Sequence, residues 1–182
     1  MNQGARKSKK LLSKEEQAVV WDYFKPRHTH AWNMLVLAGS QLAHSDNEAE
    51  IGFETEYHWE NFIIRLWLYR TTVKTLTRLQ AVEADATTIL NEFDNVFRLN
   101  HQNQLKALRD MIEHFDDYAV GLGRGPATRK GDLDPWRTFN RDHYERGQFC
   151  LDREKSYSAA IKLRSEAKRV SSAFIQWYKY QD

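Results

Sequence analysis

The chain has 182 residues, 41% apolar and 13% aromatic, which is enough to bury the core of one globular domain. Lys and Arg total 27 against 25 Asp and Glu, and this net charge of +2 excludes a polybasic protein that grips nucleic acid by bulk electrostatics. A single cysteine, Cys150, excludes an intramolecular disulfide and a thiolate zinc cluster. With no signal-peptide core and no run approaching roughly 18 apolar residues, the expectation is a cytoplasmic protein without a membrane partner.

Residues 1 to 12 carry Arg6, Lys7, Lys9 and Lys10 without periodicity and read as a basic disordered arm, so that 13 to 182 make a single domain. Ser13 and Glu16 have the spacing of a capping box and start the first helix. Pro26 is expected to kink or divide that helix before Trp32, Leu35, Gly39 and Leu42 resume its apolar stripe. The acidic stretch from about Ser45 to Glu56 reads as a connection. Next, Trp59, Phe62, Leu66, Tyr69, Val73 and Leu76 alternate spacings of three and four, which predicts a long helix with a continuous packing seam.

A further helix is predicted from about Ala86 through Ile89, Phe93, Val96 and Phe97, with the polar run Asn100 to Asn103 either breaking or bending the chain. After it, Leu105, Leu108, Ile112, Phe115 and Ala119 form one stripe of a helix expected to end at the glycines from Gly121 onward. The stretch 121 to 150 is rich in glycine and arginine and holds Pro126 and Pro135, so it reads as an irregular loop or a lid. The last helix is predicted from about Asp152, burying Tyr157, Ile161, Ala167, Val170, Phe174 and Trp177. Together these elements predict an all-α fold, a four- to five-helix bundle with a long Gly/Arg-rich connection before the last helix.

The helix from Leu105 onward carries the densest chemistry. Asp110, Glu113, His114 and Asp117 lie opposite its apolar stripe, with Arg109 at the border. The spacing lets Asp110 pair with His114 and Arg109 with Glu113, although the same pairings are ordinary ion pairs of a solvated helix face.

Arg109, a polar residue directly after it, three further residues and then His114 resemble the signature of the HEPN superfamily. Arg137 and His143 fit a looser form of that pattern, but in a stretch without helical period. The resemblance implies a helical protein that binds RNA and cleaves it without a metal or other cofactor, at a site where two copies bring their motif helices together. It also implies a toxin or defence role with a protein antitoxin as partner. His114 would then be general base or acid at the ribose 2′-hydroxyl or the leaving oxygen, Arg109 would hold the scissile phosphate, and Asp110 would orient one of them. An imidazole that titrates near neutral pH and a permanently charged, forked guanidinium suit those tasks.

In the Gly/Arg-rich stretch, Arg124, Arg129, Lys130 and Arg137 could bind RNA phosphates while Trp136 stacks on a base; a plain surface loop is the other reading. His28 and His30 would suit a transition metal only if that segment were extended, and no metal site is expected. The alternative to the whole functional reading is a non-catalytic helical protein that acts as an interaction or regulatory subunit.

Overall fold

The computed structural model describes residues 11–45, 53–114 and 137–180, and these are predominantly helical with two small antiparallel sheets among them. The basic arm at residues 1–10 lies outside the described residues.

Helix α1 spans Lys14–Ala43. Its capping box is complete: the Ser13 hydroxyl accepts from the backbone N–H of Glu16, and the Glu16 carboxylate accepts from the backbone N–H of Ser13 at 2.8 Å. Pro26 does not divide the helix, contrary to the expectation from its missing N–H and its ring. The reason is tertiary, because Phe24, Trp32, Leu35, Ala38 and Leu42 are all buried and α1 packs along its length on α2, Phe53–Val73. Burying one such large apolar side chain contributes about 1.5–3 kcal/mol, so a few of them offset the roughly 3 kcal/mol cost of an interior proline. Gly39 allows the close approach: a Cβ there would meet the Tyr157 ring at 3.3 Å and Phe62 at 3.5 Å.

Along α2 the predicted seam is the buried seam. Trp59, Phe62, Leu66, Tyr69, Val73 and Leu76 are all fully buried, with Leu76 carried on a short 3-10 turn, Lys74–Arg78, that continues α2. A second 3-10 turn, Gln80–Val82, leads into α3, Glu83–Val96. The side chain of Gln17 reaches across from α1 to accept from the backbone N–H of Gln80 at 3.0 Å, which fixes this turn on the first helix.

The polar run after α3 breaks the chain. Strands β1 (Arg98–Leu99) and β2 (Gln102–Asn103) form a minimal hairpin whose two loop residues, Asn100 and His101, have φ of 45° and 68°. Positive φ at both loop positions suits the strand twist of a two-residue hairpin, and Asn and His tolerate that region better than most side chains. Helix α4, Gln104–Glu113, follows, with the Asn103 side chain capping its start by accepting from the Lys106 N–H at 2.9 Å. α4 ends at Glu113, short of the expected length, and the predicted stripe positions Phe115 and Ala119 lie outside the described residues. Its buried face is Leu105, Leu108 and Met111, with Ile112 partly covered.

The expected irregular connection is, from Arg137 onward, a three-stranded antiparallel sheet: β3 (Arg137–Phe139), β4 (His143–Arg146) and β5 (Phe149–Asp152). The all-α expectation is corrected here. Tyr144, Phe149 and Leu151 alternate inward, and Gly147 at φ 58° makes the tight β4–β5 turn. The sheet is anchored to α2, where the Trp59 indole N–H donates to the Asn140 carbonyl at 2.6 Å. Helix α5, Arg153–Lys179, begins at the expected place, its Asp152 side chain capping the Lys155 N–H at 2.7 Å. It packs chiefly on α3 and buries Ala160, Leu163, Ala167, Val170 and Phe174, whereas Ile161, expected inside, is 50% exposed.

Candidate functional site

Helix α4 carries the Arg109–His114 pair, and its surroundings come from α2, α3, β4 and β5. Its start is held by the Asp94 carboxylate of α3, which accepts from the Asn103 side-chain amide at 3.1 Å and from Arg70 of α2. Its flank is held by β5, where the Cys150 N–H donates to the Gln104 side-chain oxygen at 3.1 Å. Near its end the Arg146 guanidinium of β4 reaches the Met111 carbonyl at 3.5 Å, a long contact at one of the backbone oxygens a helix C-terminus leaves without an intrahelical donor.

Arg109 is the most constrained member. Its guanidinium lies over the Trp67 ring at 5.3 Å and donates to Glu113 at 2.7 Å, with an Asp110 oxygen at 2.8 Å. Only 21% of its side chain is exposed, and its Nε is buried without a hydrogen-bond partner among the described residues. The indole face, the helix spacing and the two carboxylates leave the group little freedom.

Asp110 also binds Lys106 one turn earlier, so its carboxylate is engaged with Lys106 and Arg109. The Asp110–His114 pairing that the spacing permits is not formed. His114 is the residue that closes the helix: its backbone N–H donates to the Asp110 carbonyl at 3.0 Å, and its own φ and ψ, −129° and 41°, have left the helix. Its ring is exposed. The structure thus gathers Arg109, Asp110, Glu113 and Lys106 into one ion-paired cluster and leaves His114 at the C-terminal end of the helix. The charges within the cluster balance, two cations against two carboxylates.

Of the residues expected to bind RNA, Arg124, Arg129, Lys130 and Trp136 lie outside the described residues; Arg137 opens β3, and its side chain is likewise outside them. Three neighbours escape the motif. Trp67 sits on the polar flank of a helix whose seam dominates its pattern; Arg146 looked like one more basic residue of a loop. Glu60 of α2 has its carboxyl pushed up by burial, partly opposed by Arg146. A strand reading of residues 143 to 152, from the alternation of Tyr144, Phe149 and Leu151 around Gly147, is the signal that finds Arg146.

No group of three or more His, Cys, Asp or Glu suited to a metal occurs among the described residues. His28 and His30 lie on the continuous helix α1 and not on an extended segment, and His28 is hydrogen-bonded to Tyr69 instead. Burial and the Glu145 and Asp152 carboxylates push the Cys150 thiol up, away from nucleophilic use. No helix among the described residues is long and apolar enough to cross a membrane.

No protein-family model matches the chain, and neither a curated protein nor a solved structure matches it.

Proposed function

We propose that the chain is a HEPN-like RNA-binding protein, a helical bundle that cleaves RNA without a metal at the C-terminal end of α4. One observation carries this reading: Arg109 is held rigidly by Trp67, Asp110 and Glu113, with an unpartnered buried Nε, five residues before an exposed imidazole at the helix end. Fixing a guanidinium before substrate arrives removes the entropy cost of ordering it on a phosphate.

In this reading one imidazole takes the proton of the ribose 2′-hydroxyl, and the 2′-oxygen attacks the adjacent phosphorus. The bond to the 5′-oxygen breaks, a second acid protonates that oxygen, and a 2′,3′-cyclic phosphate remains. The step needs a base and an acid at once, and each chain brings a single His114; a second copy of the chain supplies the other. Asp110 acts on Arg109, not on the imidazole. Arg146 adds a cation beside the helix end, and Arg124, Arg129, Lys130, Arg137 and Trp136 supply the wider RNA surface. A cytoplasmic toxin or defence role with a protein antitoxin is the biological form of this proposal.

A different observation favours a second reading. The cluster of Lys106, Arg109, Asp110 and Glu113 is internally neutralised, which suits a solvated or partner-binding face of a non-catalytic helical protein. Fluorescence anisotropy with labelled single-stranded RNA separates the two. The nuclease reading expects binding that weakens with salt, and about a tenfold loss in Arg109→Gln, the typical value of a charge-assisted contact. Salt-insensitive or absent binding, with Arg109→Gln unchanged, leaves the interaction protein.

A further inference from the structure

Away from α4, helices α1 and α5 flank an open cleft of about 480 Å³, within the size range of small-molecule sites. Its α1 side is aromatic: Trp21, Phe24, His28 and Trp32 follow the helix at spacings of three and four. Its α5 side is cationic, with Arg164 and Lys168 one turn apart. No Asp or Glu is among the described residues that line it, and the nearest carboxylate on α1, Asp22, is already 3.4 Å from the Lys25 ammonium.

Most polar groups of the cleft have partners, and one buried donor does not. Arg164 lies over the Trp32 ring at 4.3 Å, and its Nε is buried without a hydrogen-bond partner among the described residues. Behind the cleft the buried Tyr69 of α2 shares a 2.9 Å hydrogen bond with His28 Nε2, so that imidazole is partnered by a phenol and not by a counter-ion. Burial together with Arg164 and Lys168 lowers the His28 pKa to about 4, so the imidazole is neutral and adds no charge at neutral pH. One guanidinium over an indole and one ammonium a turn further on, with no Asp or Glu among the described lining residues, favour a ligand that brings both a flat ring and a negative charge.

We propose that the α1–α5 cleft is a binding site for a small aromatic oxyanion, its ring against Trp21 and His28, the partly exposed members of the aromatic wall of α1, and its carboxylate or phosphate held by Arg164 and Lys168. The site is separate from the Arg109–His114 end of the molecule and does not depend on what that end does.

Isothermal titration of the full chain tests this with indole-3-acetate and phenyl phosphate as the two oxyanion types, against acetate, inorganic phosphate and neutral indole. Saturable binding of either ring-bearing anion, about tenfold tighter than its ring-free or charge-free counterpart, is expected. Arg164→Gln should weaken that binding about tenfold and Lys168→Gln severalfold, whereas Arg169→Gln, whose guanidinium pairs with Glu166, should leave it unchanged. The preferred probe should also move the ring-nitrogen resonances of His28. Lys168 is exposed, so Lys168→Gln decides the matter if Arg164→Gln misfolds. Acetate and inorganic phosphate binding as tightly as the ring-bearing probes, no saturable binding at millimolar concentration, or unchanged affinity in a folded Lys168→Gln would overturn the proposal. So would a short single-stranded RNA that occupies the cleft while both probes fail.

Discussion

Nε2 of His28 lies 2.9 Å from the Tyr69 hydroxyl, and this single hydrogen bond joins α1 to α2 between two groups that are both uncharged at pH 7. Burial holds the imidazole near pKa 4, against an ordinary 6.5, and pushes the phenol far above its usual value. Between pH 6.5 and 4 the unfolded chain binds a proton that the native chain does not, so stability falls as the pH is lowered through that window. The loss is about 1–2 kcal/mol once screening by the solvent that reaches the ring is discounted. Urea midpoints measured from pH 7 to pH 4 should show this fall, and His28→Gln should flatten it. A wild-type profile with no slope in that window would contradict the assignment.

The Asp94 carboxylate ties three elements together by accepting from Arg70 on α2 and from Asn103, whose own oxygen caps α4. Asp94→Ala leaves a partly buried guanidinium and the capping amide without their acceptor, a cost of about 1.5–3 kcal/mol. The expected outcome is a lower urea midpoint together with faster amide exchange in the first turn of α4. An unchanged midpoint would mean that solvent replaces the carboxylate.

Trp59→Phe keeps a ring in the core but removes the indole donor from the Asn140 carbonyl. Losing the bond should cost about 1–3 kcal/mol, and the effect should be local. Amide exchange in 143 to 152 should accelerate more than in α5, because this bond is a tie between the sheet and α2. Uniform acceleration would show that the ring's packing, and not its N–H, is what matters there.

How far the sequence carries depends on how much of each element's pattern is local. The α2 seam from Trp59 to Leu76 was legible because all of those residues are buried against neighbours on one side, which writes a strict period into the chain. The same holds for the capping box at Ser13 and the Asp152 start of α5. Pro26 misleads, since its cost is local while the packing of Phe24 and Trp32 that overrides it is not. The β4–β5 hairpin escapes notice because its strands are four residues long and only Tyr144, Phe149 and Leu151 of their eight positions are buried, with His, Glu, Arg and Asp among the rest. At the candidate site the motif residues were legible as a helix face, but the engagement of Asp110 with Lys106 and of Arg109 with Trp67 depends on rotamers and on a neighbouring helix that spacing alone does not place.

The central claim is that His114 and Arg109 act together on RNA. The most direct measurement is cleavage of a mixed RNA pool by the full chain in EDTA, beside His114→Ala and Arg109→Ala proteins whose circular dichroism matches the parent. The parent chain should give products ending in 2′,3′-cyclic phosphate, surviving chelation, and each variant should lose at least about a hundredfold, the usual contribution of a positioned acid–base or charge-stabilising group. Equal cleavage by all three proteins, or none by the parent, would contradict the claim.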